Sequence, residues 1–372
     1  MMSKVKFLDL KRLNAPYAAA FTEAANSAIS SGVYIGGETV RQFELDFASF
    51  CGARECVAVG NGLDALILSL RALMIGPGDE VIVPGHTFIA TWLAVSQVGA
   101  TIVPVDVDQA TGNIDVRLIR SVITSRTRAI IPVHLYGTSA DLPQILEIAK
   151  AHNIYVVEDA AQAHGDTTFG QAAGNYGHIG CFSFYPSKNL GALGDSGGII
   201  TQDKRLADRV RELANYGSIE KYVHNEKGLN SRMDPIQASF LSIKLTYLPS
   251  IIKKRKAIAA SYTEALLKQS PSRVKRLLQE QYDGVWHNFV VLTDHRVSFM
   301  EHMQSKGIET AIHYPKVPSK QPCYADDYGH IALPVSEQLC ASVVSLPIGE
   351  YLGADEVKAV CDALLTYMGC HE

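Results

Sequence analysis

Short apolar segments alternate with amphipathic segments along the first half of the chain. The pattern predicts strands at Cys56–Val59, Glu80–Val83, Thr101–Val105, Ala129–Val133 and Ile154–Val157. The segments between them predict helices that begin near Leu63, Phe88, Asp115 and Leu142. Strands and helices that alternate at this spacing are typical of an α/β fold, in which a mostly parallel sheet is covered by helices on both faces.

Segments with helical spacing lie on both sides of this region. Helices are predicted at about Pro16–Ser30, Val40–Phe50, Ile236–Leu248 and Ile251–Leu267. The C-terminal part mixes strand candidates with helix candidates: Val285–Leu292, Glu309–His313 and Val343–Leu346 for strands, and Val297–Lys306, Val335–Cys340 and Ala354–Met368 for helices. We therefore expect two domains with a boundary near Pro249. Residues 1–249 would form an N-terminal arm and a large domain, and residues 250–372 a small α+β domain.

The composition is that of a globular protein, since 47% of the 372 residues are hydrophobic and 19% are charged. The net charge of −4 offers no basic surface for nucleic acid, and no apolar run approaches the roughly 20 residues that span a bilayer. The N-terminus lacks the apolar core of a secretory signal. The seven cysteines include no Cys-x-x-Cys pair, which argues against a metal site or a disulfide framework and favours reduced thiols in the cytoplasm.

Lys188 is almost the only charged residue near the segment Phe182–Gly191. An aromatic, strand-like stretch precedes it, and a glycine-rich stretch leads to another buried strand candidate, Gly198–Thr201. A lysine among buried strands loses hydration, which disfavours its charged form and makes its amine a nucleophile that can form a Schiff base. The alternative is a lysine in a surface loop near a hairpin, and the segment alone does not decide between the two.

Asp159 ends the apolar strand candidate that begins at Ile154. Ligands of open α/β sheets bind at the carboxyl ends of strands, so this carboxylate stands where a site is expected. A Schiff-base lysine and an aspartate facing a pyridinium nitrogen are the standard protein contributions to pyridoxal phosphate (PLP) chemistry. The pair Asp159 and Lys188, with Ser183 five positions before the lysine, resembles the nucleotide-sugar aminotransferases of the DegT/DnrJ class.

This resemblance covers nearly the whole chain and implies a fold-type I aminotransferase. Such an enzyme has a large domain with a mostly parallel seven-stranded sheet between helices, and a smaller C-terminal domain. Lys188 is then expected to hold PLP as a Schiff base and to act as the general base of the proton shift, for which it must be uncharged near neutral pH. Asp159 would keep the pyridine nitrogen protonated.

Further cofactor contacts follow from residues and resemblance together. In Gly60–Leu66 the glycines allow close backbone approach and the helix N-terminus favours a phosphate, although the segment is not a full dinucleotide-binding motif. The resemblance assigns the phosphate to the backbone of Gly62 and Leu63 and to Ser183. It also assigns a hydrogen bond with the ring hydroxyl to Gln162. For Phe88 it implies stacking on the cofactor ring, the alternative being a core phenylalanine.

The resemblance also implies a homodimer with shared active sites, in which Asn230 reaches the PLP phosphate of the partner subunit. Its substrate-binding candidates are Tyr34, His164, Tyr222, Arg232, His313 and Tyr314. Several have a structural alternative: a plain turn for the stretch that contains Tyr34, and buried structural roles for the histidines. For Arg232 we prefer pairing with Asp234, which would brace its loop, to the binding of a carboxylate or phosphate. His134 and Tyr136 are left out of catalysis.

The resemblance implies a ping-pong aminotransferase that moves an amino group from an amino acid, L-glutamate by family likeness, to a nucleotide-linked ketosugar. Gly60–Leu66 and Thr87–Trp92 look most like the branch that acts on dTDP-3-keto-6-deoxyhexoses and gives dTDP-3-amino-3,6-dideoxyhexoses for polysaccharides or glycosylated metabolites. The alternatives are a 4-keto-6-deoxyhexose aminotransferase, a sugar dehydratase, and a non-catalytic relative that binds PLP or a nucleotide sugar. Dehydrating relatives carry histidine at the position of Lys188, which argues against the second.

Overall fold

The structure is a computed structural model that describes residues 5–268, 274–276 and 284–367. Its α-helices are α1 Leu10–Asn14, α2 Ala18–Ser31, α3 Glu38–Cys51, α4 Gly62–Ala72, α5 Ala90–Gln97, α6 Val116–Val122, α7 Leu142–His152, α8 Lys204–Ala214, α9 Pro235–Leu245, α10 Leu248–Leu267, α11 Arg296–Ser305, α12 Ala325–Tyr328, α13 Pro334–Ser342 and α14 Ala354–Thr366. Its strands are β1 Glu55–Val59, β2 Glu80–Pro84, β3 Thr101–Val105, β4 Thr127–Ile130, β5 Tyr155–Asp159, β6 Ile179–Ser183, β7 Gly197–Thr201, β8 Lys275–Arg276, β9 Phe289–Leu292 and β10 Val343–Leu346. Short 3-10 helices lie at Ala15–Tyr17, Leu135–Gly137 and Pro318–Lys320.

Seven strands form the large sheet, in the order β1-β7-β6-β5-β4-β2-β3. The pairs from β6 through β5, β4 and β2 to β3 are parallel, whereas β7 runs antiparallel to both β1 and β6. Every residue of β2 and β7 is buried, because helices cover both faces of the sheet. The predicted mostly parallel seven-stranded α/β fold is confirmed.

Side-chain caps explain where several helices begin. Asn61 accepts a hydrogen bond from the Asp64 amide at 2.8 Å and starts α4, and Asp115 caps α6 in the same manner. A cap satisfies an amide that has no partner inside the helix. The helix expected near Leu63 therefore begins at Gly62, which brings its first amides to the carboxyl edge of the sheet.

The small C-terminal unit has its own antiparallel sheet, in the order β10-β9-β8. Tyr262 of α10 and Phe299 of α11 are fully buried in its core with Phe289 of β9. The unit is joined to the large sheet by Asp106, which follows β3 and whose carboxylate accepts the amides of Val335 and Ser336 at 2.9 and 2.8 Å. The predicted domain boundary near Pro249 falls in the first turn of α10 and stays a prediction.

The strand predicted at Glu309–His313 is wrong. The Glu309 amide bonds to the carbonyl of Val5, whereas Ala311 makes an isolated bridge with Ser345 of β10. Because neighbouring residues find partners in two different segments, no continuous ladder forms, despite the alternation of polar and apolar residues.

Other predicted bounds also need correction. The strand expected from Val285 begins only at Phe289, because Trp286 has a left-handed φ of 52° that interrupts the extended backbone. The last helix ends at Thr366, and the predicted end at Met368 lies outside the described residues. α8 was not predicted. None of the helices within residues 5–268, 274–276 and 284–367 has the length and apolar character needed to cross a membrane.

Candidate active site

A cavity of about 540 Å³ lies beyond the carboxyl ends of β2, β5 and β6. This is the edge where parallel α/β sheets bind ligands. Nine of the residues predicted from the sequence line it: Gly62, Leu63, Phe88, Asp159, Gln162, Ser183, Lys188, His313 and Tyr314. Strand ends far apart in sequence thus bring the predicted cofactor residues together.

Lys188 lies in the connection between β6 and β7 and opens into the cavity. Its backbone amide bonds to the Tyr185 carbonyl at 2.8 Å, which closes a tight turn. Burial lowers the pKa of Lys188 to about 8, while the negative charge of Asp159 acts in the opposite direction. A part of the amine is therefore uncharged near neutral pH, as a nucleophile and proton acceptor requires.

Asp159 is the last residue of β5 and is nearly fully buried. Its carboxylate accepts hydrogen bonds from Thr91 Oγ1 at 2.9 Å and from the Ala161 amide at 3.2 Å. Burial raises the pKa of Asp159, and the Thr91 hydrogen bond offsets part of this effect. A buried carboxylate gains from a cationic partner, so this position suits a protonated pyridine nitrogen.

The N-terminus of α4 and Ser183 form one end of the cavity. The first amides of a helix have no partner within the helix and carry a partial positive charge. A Cβ on Gly62 would lie 2.7 Å from Cβ of Ser183, so these backbones approach each other more closely than any other residue type would allow. Free amides, a hydroxyl and a glycine that leaves room beside them are the donor set that a phosphate group needs. The residues present therefore fit PLP.

Gln162 is held at both ends of its amide. Its Oε1 accepts the Tyr136 backbone amide at 2.6 Å, and its Nε2 donates to the Tyr314 hydroxyl at 3.0 Å. Tyr136 has a left-handed φ of 59°, which directs its amide toward Gln162. The Phe88 ring is 54% exposed and lies 5.6 Å from the Tyr314 ring, so its interpretation as a core residue is wrong. Stacking of Phe88 on the cofactor stays a prediction.

The histidines of the cavity wall are held as neutral rings. His313 Nδ1 lies 2.8 Å from Ser345 Oγ, and burial lowers its pKa to about 4. His287 Nδ1 lies 3.3 Å from Asn189 Oδ1, and burial together with the charge of Lys188 lowers its pKa well below the usual value. Within the part of the chain that the structure describes, Lys188 is the only lysine or arginine that lines the cavity.

Five predicted residues do not line the cavity of this chain: Tyr34, His164, Tyr222, Asn230 and Arg232. Tyr34 and Tyr222 are 61% and 83% exposed, and Asn230 is also at the surface. His164 is fully buried between the rings of Phe182 and Phe184, at centroid distances of 5.4 and 5.6 Å. The geometry favours the structural alternative for His164, whose substrate role has no support from its position.

Arg232 is braced differently from the prediction. Its Nη1 donates to Asn215 Oδ1 at 3.1 Å, and its guanidinium lies 5.6 Å from the centre of the Tyr216 ring. The expected partner Asp234 is exposed at the N-terminus of α9, so the predicted pairing with Asp234 is wrong. The loop-bracing role itself is retained with other partners.

Sequence reasoning missed Thr91, Tyr136 and Asn288 as parts of the site. Thr91 lies four residues after Thr87, and their hydroxyls are 3.0 Å apart. Side chains at this spacing are neighbours on a helix, so the sequence already indicated that the two threonines could interact. The left-handed backbone of Tyr136 and the cavity-facing position of Asn288 depend on tertiary contacts, which leave no pattern in the sequence.

The chain matches a known family over most of its length. Residues 17–365 match the DegT/DnrJ/EryC1/StrS aminotransferase family. The chain belongs to this family. Family membership confirms the predicted aminotransferase class, and PLP is the cofactor of this family, as expected from Lys188 and Asp159.

Individual relatives agree over nearly full length. The dTDP-3-amino-3,6-dideoxy-alpha-D-galactopyranose transaminase of Aneurinibacillus thermoaerophilus is 47% identical, with 98% of this chain and 99% of the relative covered. The dTDP-3-amino-3,4,6-trideoxy-alpha-D-glucose transaminase of Streptomyces venezuelae is 44% identical, with 97% and 95% covered. The crystal structure of S. venezuelae DesV in complex with a ketimine intermediate has a TM-score of 0.95 at 43% identity and covers 98% of both chains. The fold-type I architecture is thereby confirmed.

Proposed function

We propose that this aminotransferase transfers the amino group of L-glutamate to a dTDP-3-keto-6-deoxyhexose and releases a dTDP-3-amino-3,6-dideoxyhexose. The observation that carries the proposal is the desolvated Lys188 opposite the buried Asp159 in one cavity, in a chain 44–47% identical to two dTDP-3-amino sugar transaminases. We infer that it acts in the cytoplasm, where the thiols predicted to be reduced would persist.

PLP, when bound, supplies the electron sink that acidifies the α-carbon of the amino donor. Lys188 Nζ would hold the cofactor and, once the amine of the donor has displaced it, would take the proton from that carbon, which its pKa of about 8 permits. Asp159, oriented by Thr91, would face the pyridine nitrogen. The amides of Gly62 and Leu63 and the Ser183 hydroxyl would hold the phosphate.

Substitution of the lysine tests the chemistry directly. Lys188→Ala is expected to abolish transamination while its circular dichroism spectrum stays that of the wild type, because the turn from Tyr185 is closed by backbone atoms. Lys204→Ala is the matched control, since Lys204 is exposed and pairs with Asp208 at 2.7 Å. Full activity in Lys188→Ala would refute the proposed role.

The sugar is tested with the pyridoxamine phosphate form of the enzyme. We would mix it separately with dTDP-linked 3-keto- and 4-keto-6-deoxyhexoses and follow the return of the absorbance of lysine-bound PLP. Rapid return with the 3-keto sugar alone is expected. Return with the 4-keto sugar alone would overturn the proposed substrate and keep the roles of Lys188 and Asp159.

We further propose a homodimer with shared active sites. Exposed apolar side chains support it, since Ile35, Ile219 and Tyr222 are 55%, 78% and 83% exposed in surface segments that also contain predicted site residues. Contiguous apolar surface marks interfaces. Asn230, exposed in this chain, would bind the phosphate in the partner's site. In a mixed dimer with Asn230→Ala in one subunit, PLP loss is expected in the site of the other subunit, and loss in the altered subunit's own site would contradict sharing.

A further inference from the structure

An amide nitrogen in the wall of the cavity has no hydrogen-bond partner. Asn288 lines the cavity, its residue is 5% exposed, and its Nδ2 atom is fully buried without an acceptor. Buried donors in folded proteins nearly always find a partner, because leaving one unpaired costs free energy. Asn288 lines the cavity, so a ligand bound there can supply the missing acceptor.

The backbone of Asn288 is fixed by Tyr136. The backbone N–H of Asn288 donates to the Tyr136 carbonyl at 3.2 Å, and the backbone N–H of Tyr136 donates to Gln162 Oε1. The left-handed φ of 59° at Tyr136 allows both contacts from one residue. Asn288 is thus held in a set relation to Gln162, a predicted cofactor contact.

The segment that contains Asn288 is also tied to the neighbour of the reactive lysine. Asn189 Nδ2 donates to the Val285 carbonyl at 2.9 Å, and Asn189 Oδ1 lies 3.3 Å from His287 Nδ1. A substrate whose nitrogen approaches Lys188 Nζ in this cavity consequently has His287 and Asn288 among its surroundings.

The charges of the cavity limit what can bind a carboxylate. Lys188 is the only lysine or arginine among its described lining residues, and its amine is engaged in the chemistry. His287 and His313 are neutral, since burial lowers their pKa. Asp159 and Asp195 add negative charge to the wall. Neutral N–H and O–H donors are what this chain offers to an anionic substrate group away from the phosphate end.

We propose that Asn288 Nδ2 binds the α-carboxylate of the amino donor. The inference rests on the proposed aminotransferase function and extends it to donor recognition. A hydrogen bond from an amide to a carboxylate is charge-assisted and therefore stronger than one to a sugar hydroxyl. The same place must accept an uncharged sugar in the second half-reaction. An arginine there would then be buried and unpaired, at a much higher cost than an amide.

Single-turnover half-reactions test the proposal. In Asn288→Ala, the apparent dissociation constant for L-glutamate is expected to rise by about 10- to 100-fold, the range for one hydrogen bond to a charged group. The ketosugar half-reaction is expected to change little. Asn175→Ala is the matched control, because Asn175 bonds to the Cys51 carbonyl outside the cavity. The proposal would be overturned if Asn288→Ala weakened only the ketosugar half-reaction, or if it weakened neither half-reaction.

Two amino donors that differ only in the α-carboxylate test this contact directly. 4-Aminobutanoate is glutamate without that group, so the preference of the wild type for glutamate over 4-aminobutanoate should shrink by about 10- to 100-fold in Asn288→Ala. An unchanged preference would refute the contact, including when both half-reactions slow together. Binding of the unreactive L-2-hydroxyglutarate, measured by calorimetry, should weaken by a similar factor. If the wild type accepts amino acids but no ketosugar, the proposed acceptor fails and the donor contact is still tested.

Discussion

Gly62→Ala should loosen the phosphate end of the site. The added Cβ would lie 2.7 Å from Cβ of Ser183 and 3.2 Å from its Cα. Carbon atoms pack at about 3.5–4.0 Å, so α4 and Ser183 must separate by about 1 Å. The Gly62 and Leu63 amides and the Ser183 hydroxyl would then no longer reach the same anion. Loss of one charge-assisted hydrogen bond weakens binding by about 10- to 100-fold, and the overpacking costs about 1–3 kcal/mol of stability.

The assay is a spectrophotometric PLP titration of the apoenzyme, with thermal unfolding measured alongside. Gly76→Ala is the matched control, because its added Cβ would meet only the Val98 carbonyl oxygen at 3.5 Å, an ordinary contact, and its φ is not in the left-handed region. We expect the control to bind PLP like the wild type. A Gly62→Ala protein with the wild-type dissociation constant would show that the phosphate is not held between α4 and Ser183.

Two further substitutions probe the frame around the site. Asp106→Ala leaves the Val335 and Ser336 amides without their acceptor and should lower the free energy of unfolding, measured in urea, by about 3 kcal/mol. The control is Asp234→Ala, because Asp234 stands at the start of α9 without a side-chain cap hydrogen bond. This control should lose less than about 0.5 kcal/mol. Equal losses of unfolding free energy in the two variants would show that Asp106 does not hold the C-terminal unit to the large sheet. Burial lowers the pKa of Lys244, fully buried against the Gly191 carbonyl, to about 8, so between pH 8 and 10.5 the unfolded chain binds more protons than the folded one. The free energy of unfolding of the wild type, relative to that of Lys244→Met, should therefore rise by about 3 kcal/mol as pH increases through that window. The same difference between the two proteins at pH 7.5 and at pH 10, measured by urea unfolding, would contradict the lowered pKa of Lys244.

The sequence was sufficient where a residue's environment follows from its place in a regular element. Strands buried on both faces leave continuous apolar runs, which located β2, β3 and β5 within two residues. Asp159 was found because it ends a strand at the edge where ligands bind, whereas Ser183, which ends β6, was assigned by the family resemblance.

The remaining features depend on contacts between distant segments. The alternation in Glu309–His313 predicted a strand, yet its hydrogen bonds divide between Val5 and β10, and alternation cannot tell which neighbour is available. Nothing in the sequence around Asn288 indicates that its side-chain amide is unpaired, since this depends on how segments distant in sequence pack around Tyr136. Residues predicted to act across a dimer could not be placed by a single chain.

The position of β7 in the sheet sets the order in which the enzyme can be completed during synthesis. β1 is an edge strand whose neighbour is β7, which is translated roughly 140 residues later. At about 5–20 residues per second, β1 leaves the ribosome about 7–28 s before its partner exists. Gly197 of β7 also packs directly on Asn61, so the phosphate end cannot be completed before β7 has been made. Capture of PLP by a nascent chain would therefore report that the whole large sheet has closed, and until then β1 presents an unpaired edge to chaperones.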